Sequence, residues 1–355
     1  MEEKCKLINY NVKNFKLNLS IINKLLFILL FFILLFQQKS KNNLLLNTKV
    51  PQQNYNFNNG FNNIPISYGL NNGNFYPTLT SIISILENSN NSTYYFFYIL
   101  VSKNKKQFSQ TNKIKFKNLE QKYSRCKVNI IEINDNIFKY VTTNRYPLPT
   151  YYRLLLAELL PFLNRIIYLD GDTIVLTDLI DMIHLNMENN IIMGFIDDGY
   201  NYTNFFGIKT SKYITAGVLL INLESMKKEN ITDKFFQFIQ KNQKFLIQED
   251  QTVINIVLHE RIGILPPKYG LWSFSNISDL LFHNHFQNYF KDLKCYNDEE
   301  LINAWKYPSI IHYVVNKPYL FDNYQLNTTY INYWLYYAKK TGEFDNIIKY
   351  YKFSL

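Results

Sequence analysis

The chain reads as an α/β protein with a mainly parallel central sheet and helices on both of its faces. Three observations point there. From Ile64 onward, apolar runs of strand length alternate with segments of helical pattern. The run Ala216–Leu223 is nearly continuous in apolar residues, as a strand buried on both faces requires. Polar groups collect where strands end or helices begin, at Asn71, Asp170, Asp172, Asp197, Asp250 and His312, so a single cleft is expected at the carboxyl edge of the sheet.

Composition sets the outer limits. With 355 residues, 47% of them apolar, the chain can bury a full core, as one large domain or two small ones. The net charge of +10 is spread over lysines interleaved with Asn, Ile, Tyr and Phe, so it marks a compositional bias and no nucleic-acid partner is expected. Three cysteines, Cys5, Cys126 and Cys295, give no disulfide framework and leave one bridge open, Cys126 to Cys295.

Residues 1–18 read as a cytosolic tail and residues 19–36 as a transmembrane signal anchor. The apolar run is unbroken from Leu25 to Phe36 and has lysines on both sides. With Lys24 snorkelling to the interface, the span starts near Leu19. A cleaved signal peptide is the rival, but no small-x-small site follows Phe36. The expected placement is a single-pass type II membrane protein of the Golgi or endoplasmic reticulum with a lumenal catalytic domain; cleavage would give a secreted protein. Residues 37–63, rich in Asn, Gln and Lys, read as a stem. Sequons at Asn90, Asn91, Asn201, Asn230, Asn276 and Asn327 permit a lumenal location without requiring it.

The remaining elements follow in chain order. Ile64–Tyr68 is a strand, and Pro77–Leu86 a helix after a loop containing Asn71, Asn72, Gly73 and Asn74. Tyr94–Val101 and Val128–Ile133 are strands on either side of a lysine-rich helix, Phe108–Tyr123. Pro149–Leu160 is helical, with proline at its start and Pro161 as its stop. Strands follow at Ile166–Leu169 and Ile191–Ile196, then a helix at Asp250–Leu258, a strand at Ser309–Val315 and aromatic-rich helices over Thr329–Phe353.

Asp170, Gly171 and Asp172 end the strand Ile166–Leu169. Two carboxylates at i and i+2 point the same way and can hold one divalent cation between them. Chance produces an Asp-x-Asp in many chains of this size, and a solvated turn is the plain alternative. The position after a buried strand favours the cation.

The stretch PTYYRLLLAELLPFLNRIIYLDGDTIV ending at Val175, TAGVLLINLE from Thr215 to Glu224, EDQTVIN from Glu249 to Asn255 and IIHYVVNKPYL from Ile310 to Leu320 resemble, in this order, the pattern of glycosyltransferase family 8. The resemblance implies a GT-A fold over residues 64–320, with residues 321–355 as an aromatic-rich helical extension. It implies a nucleotide-sugar donor such as UDP-glucose or UDP-galactose, a glycan or glycoconjugate acceptor, Mn²⁺ or another divalent cation, and retention of anomeric configuration. Asp170, Asp172 and His312 look like the metal ligands, Asp170 also lying near the donor's ribose. Arg153, Asp197, Asn71, Asn72 and Lys317 look like substrate-binding residues, and Asp250 and Gln251 like the pair beside the reacting carbon. Plain alternatives stand beside these: a core histidine at position 312, a surface salt bridge of Arg153 with Glu158 or Asp181, and a helix cap at Asp250. The chain departs from the family pattern at several places. Asn71 and Asn72 stand where aspartates meet the uracil ring, Thr215 precedes Ala-Gly, Val314, Val315 and Asn316 fill the spacer after His312, and Tyr319 replaces Trp. These departures support a second reading, a catalytically degenerate member that binds nucleotide sugar or glycan without turnover.

Overall fold

A computed structural model describes residues 26–27, 60–141, 143, 145–197, 200–208, 210, 212–273, 295–314, 317–320 and 328–351. The folded body lies within residues 49–355. Its centre is a seven-stranded sheet built from β1 (Asn62–Leu70), β2 (Thr93–Ser102), β3 (Cys126–Ile133), β4 (Arg165–Leu169), β6 (Ile192–Ile196), β7 (Ile214–Asn222) and β8 (Ile262–Ile264), in the order β3-β2-β1-β4-β7-β6-β8. A small second sheet joins β5 (Thr173–Val175), β10 (Ile310–His312) and β9 (Tyr269–Trp272), in that order.

The main sheet is parallel except at β7, which runs antiparallel to both β4 and β6. All but the last residue of β7 are buried, in agreement with the unbroken apolar run. Strand β1 tolerates Pro65, which has no N–H to give, because its pairing with β4 is confined to Ile66 and Ser67.

The helix expected over residues 108–123 is two helices, Gln110–Lys117 and Leu119–Lys122, which meet at Asn118. The segment expected to be helical over 149–160 is wound as a 3-10 helix over Leu148–Leu155 and becomes α-helical only for Leu156–Leu159. Three short strands, β5, β8 and β9, and the helices Ile231–Asn242 and Asp298–Lys306 add to the sequence reading. Cys126 and Cys295 are both free thiols, so the bridge left open between them does not form.

The C-terminal aromatic segment forms helices Thr328–Lys340 and Phe344–Tyr351 and packs on the body of the fold. Trp334 is 1% exposed, and the Tyr337 hydroxyl accepts a hydrogen bond from Asn88 Nδ2 at 2.6 Å, beside the helix Phe75–Glu87.

The anchor expected at residues 19–36 lies outside the described residues except for Leu26 and Phe27, as do the tail and the stem up to residue 59. No helix among the described residues is long and apolar enough to cross a membrane. The type II membrane placement drawn from that run is therefore not supported.

Because Trp334 is fully enclosed, Trp334→Ala is expected to cost about 3–5 kcal/mol of stability. Urea unfolding with an unchanged slope and a lower midpoint is the expected record. An unshifted midpoint would mean that the C-terminal helices are not part of the cooperative core.

Candidate active site

Four elements converge on one end of the sheet. Strand β4 ends at Leu169, and the turn Asp170–Asp172 leads into β5. Strand β7 enters from the opposite direction, so its first residues lie beside that turn, and the Asp170 N–H donates to the Gly217 carbonyl at 2.7 Å. Strand β10 pairs with β5 so that His312 faces Thr173, and the Tyr313 N–H donates to the Asp172 carbonyl at 3.0 Å. The helix Asp250–Val257 begins at the same place.

This register brings the ligating atoms of Asp170, Asp172 and His312 within 4.8 Å of one another. Nε2 of His312 lies 3.3 Å from Oδ1 of Asp172, an oxygen that is buried without a well-formed hydrogen bond. The space between the three is kept open by Gly217. A Cβ there would lie 2.0 Å from His312 Cε1, 2.6 Å from its Nε2 and 2.9 Å from Asp170 Oδ2. Two carboxylates and an imidazole around a gap that a methyl group would fill suit a divalent cation such as Mn²⁺. Gly171 meets a similar constraint on the other side of the turn, where a Cβ would sit 2.3 Å from Thr78 Oγ1. Lys317 forms an ion pair with Asp172. Burial works to raise the Asp172 pKa, but Lys317 and His312 outweigh it and hold the carboxyl well below its usual range.

Arg153 is enclosed rather than on the surface, at 3% exposure. Its Nη2 is 3.0 Å from Asp170 Oδ1, its Nη1 donates to the Ala216 carbonyl, and its Nε donates to the Thr150 carbonyl at 2.8 Å. The guanidinium stands 4.2 Å from the centre of the Tyr168 ring. Asp250 Oδ2 lies 3.0 Å from Nε. Burial would lower the arginine pKa, but Asp170 and Asp250 raise it further, so the group stays charged. For Asp250 the balance goes the other way. Burial dominates over Arg153 and, with Asp170 adding repulsion, pushes its carboxyl up to about 7.

Gln251 is held at both ends of its amide. Nε2 donates to Asp197 Oδ2 at 2.7 Å, and Oε1 accepts the Ala216 N–H at 3.0 Å. Asn255, one turn further along the helix, accepts the Ile214 N–H at 2.8 Å and donates to the Ile214 carbonyl at 2.8 Å, so the helix is clamped to β7. Sequence reasoning missed Glu249 altogether. This residue is buried, has φ +51°, and accepts the N–H groups of Arg145 at 2.8 Å and Tyr146 at 3.0 Å. A left-handed backbone at a glutamate is a strained feature that only the coordinates reveal.

The two asparagines are placed differently from the rest. Asn71 accepts the Gly73 N–H at 2.9 Å and so caps the first turn after β1. Asn72 accepts from the Ser109 N–H at 2.9 Å and from Asn112 Nδ2 at 3.1 Å, and donates to the Lys106 carbonyl at 3.2 Å. Its side chain braces the segment 106–112, which runs into the first turn of the helix Gln110–Lys117.

A family profile described as Glycosyl transferase family 8 matches residues 65–322, most of the chain. The chain belongs to this family. General stress protein A of Bacillus subtilis is 27% identical over 150 residues, covering 40% of this chain and 52% of that protein. The lipopolysaccharide 1,2-glucosyltransferase of Escherichia coli is 29% identical over 140 residues, covering 36% of this chain and 40% of that one. The chain thus spans about half or less of the curated relatives it matches. Among solved structures, the bifunctional glycosyltransferase WbbM superposes with a TM-score of 0.66 at 20% identity, covering 84% of this chain and 52% of that one. The galactosyltransferase LgtC, solved with donor and acceptor sugar analogs, gives 0.63 at 17% identity over 78% of this chain and 96% of that one. Both similarities support the GT-A fold for this family 8 chain. These curated relatives are bacterial proteins, so they lend the expected Golgi or endoplasmic-reticulum location no support.

Asp250 makes the stability of this family 8 chain depend on pH. With its pKa raised from 3.8 to about 7 on folding, the unfolded chain loses the proton first as pH rises, so stability falls between about pH 4 and pH 7. Asp250→Asn is expected to flatten that part of the profile in urea unfolding at pH 5, 6 and 7.5. An identical slope in wild type and variant would contradict the assignment.

Proposed function

We propose that the chain is a metal-dependent, retaining glycosyltransferase that moves a hexose from a nucleotide sugar to a glycan or glycoconjugate acceptor. The observation that carries this reading is the placement of the Asp170, Asp172 and His312 cradle against Arg153 and Gln251, around a Gly217 that keeps the cradle open. UDP-glucose and UDP-galactose are the first donors to test, given relatives named for glucosyl and galactosyl transfer.

Each residue has a part in this reading. A divalent ion held by Asp170, Asp172 and His312 would neutralise charge growing on the departing diphosphate. Arg153 fixes the Asp170 carboxylate and keeps a permanent positive charge under the donor. Lys317, now paired with Asp172, would turn its ammonium to a diphosphate oxygen. Gln251 is too firmly held to swing, and Asp250, with a pKa of about 7, can donate to or accept from sugar hydroxyls.

Neither Asp250 nor Gln251 has the character of a free nucleophilic carboxylate. One is buried against Arg153 and the other is an amide. This supports attack by the acceptor on the same face from which the diphosphate leaves. The bond from C1 to the diphosphate oxygen breaks as the bond from the acceptor oxygen to C1 forms, and the acceptor proton passes to the departing diphosphate.

Hydrolysis of UDP-glucose and UDP-galactose with and without Mn²⁺ tests the reading directly. Asp172→Asn is expected to lower the Mn²⁺-dependent rate by at least about a hundredfold. Equal rates in wild type and variant would leave the non-catalytic, nucleotide-sugar-binding alternative. Independently, Gly217→Ala is expected to weaken Mn²⁺ binding by about tenfold or more, because its methyl group meets both His312 and Asp170. Mn²⁺ titration followed by electron paramagnetic resonance is the check, and unchanged affinity would place the ion elsewhere.

A further inference from the structure

The last helix of the fold reaches back to the turn after β1. Tyr351, at the end of the helix Phe344–Tyr351, donates from its hydroxyl to the Gly73 carbonyl at 2.7 Å. Gly73 belongs to the turn after β1 that Asn71 caps. The Tyr351 ring is also 4.9 Å from the centre of the Tyr319 ring, and Tyr319 is buried two residues beyond Lys317. One side chain therefore touches two separate parts of the chain, the turn after β1 and the segment that carries the lysine paired with Asp172.

The rest of the helix is fixed so that this contact persists. Ile347 is fully buried, and Tyr350 packs edge-on against Tyr76 with 5.5 Å between ring centres. At the helix start, Glu343 pairs with Lys115 at 2.5 Å. The Tyr319 ring also packs against Trp334 of the preceding helix, with 5.8 Å between ring centres. A hydroxyl–carbonyl bond and a ring contact at one residue are two independent constraints on the spacing between the turn and the Lys317 segment.

We infer that Tyr351 is a positioning residue for nucleotide binding: it straps the Gly73 turn to the Lys317–Tyr319 segment and so sets the width of the donor half of the cleft. This rests on the donor reading above. Among the described residues Tyr351 bonds or stacks with none of the three candidate metal ligands and neither Asp250 nor Gln251, so its effect should fall on nucleotide affinity and leave turnover at saturating donor alone.

The experiment measures binding of UDP, ADP and GDP to the full chain by isothermal titration calorimetry with Mn²⁺, and donor KM and kcat for UDP-hexose hydrolysis. Tyr351→Ala is expected to weaken binding of the preferred nucleotide about tenfold and to raise donor KM equally, with kcat unchanged. Tyr351→Phe keeps the ring and loses only the bond to Gly73, so an intermediate loss of about threefold is expected, and it serves if the alanine variant does not fold. Asp345→Ala, exposed on the same helix, is the control and should bind as wild type does. Wild-type affinity in both Tyr351 variants, or a fall in kcat with affinity intact, would overturn the strap alone. Absence of nucleotide binding by the wild-type chain would overturn the donor reading and the strap with it.

Discussion

A buried guanidinium has to find acceptors for its N–H groups and a counter-charge for its cation, or it cannot stay inside. Arg153 satisfies both requirements by reaching into four elements at once. Its own 3-10 helix supplies the Thr150 carbonyl, β7 the Ala216 carbonyl, the turn after β4 the Asp170 carboxylate, and the helix Asp250–Val257 a second carboxylate. The Tyr168 ring closes the remaining side. The turn that carries two of the three candidate metal ligands and the helix that carries the candidate sugar contacts are therefore tied to one charge, and the tightly wound segment Leu148–Leu155 brings that charge to them. The unequal result for its two carboxylate partners follows from the same geometry. Asp250 is almost wholly enclosed and lies against Nε, whose hydrogen goes elsewhere, while Asp170 receives a direct bond from Nη2 and remains partly open to solvent.

Much of this arrangement was legible in the residues. The longer strands, from β1 to β4 and again β6 and β7, announce themselves by an apolar pattern, near-continuous where both faces are buried and alternating in β3. Strands β5, β8 and β9 have three or four residues, too few for a pattern, and exist because neighbouring backbones hold them. The direction of β7 was equally hidden: an apolar run looks the same whether it is parallel or antiparallel to its neighbours. At the site, Asp170, Asp172, Arg153, Gln251 and His312 stand in motifs whose order could be read. Glu249 could not, since its strained backbone and its bonds to Arg145 and Tyr146 span about a hundred residues of sequence. Asn72 shows the opposite case. A resemblance assigned it to a base, while its side chain is engaged by Lys106, Ser109 and Asn112, partners that no local pattern links to it.

The metal cradle and the turn after β1 are held in different ways. The cradle is defined by strand pairing, with β10 aligned on β5 and the Gly217 carbonyl bound to Asp170, so backbone ladders fix its dimensions. The turn around Asn71 and Gly73 rests on side chains from distant parts of the chain, among them Tyr351 and the asparagine brace on the segment 106–112. Of the departures from the family pattern, Asn71 and Asn72 lie in that turn and Tyr319 packs on Tyr351, while Thr215 lies on β7 beside the cradle.

The reversed strand β7 has a consequence for how the site tolerates insertion and deletion. Parallel strands leave the cleft edge at their last residue, so a residue added to the loop beyond them moves outward and away. β7 arrives at that edge with its first residues, and three of the four residues from Ile214 to Gly217 are already committed: Ile214 to Asn255, Ala216 to both Arg153 and Gln251, and Gly217 to Asp170. A single residue gained or lost just inside the strand would shift all of these partners by one and turn a side chain into the gap that Gly217 leaves. A change of length is therefore better absorbed by the connection before Ile214 than within β7, whose register against β4 sets all of these partners.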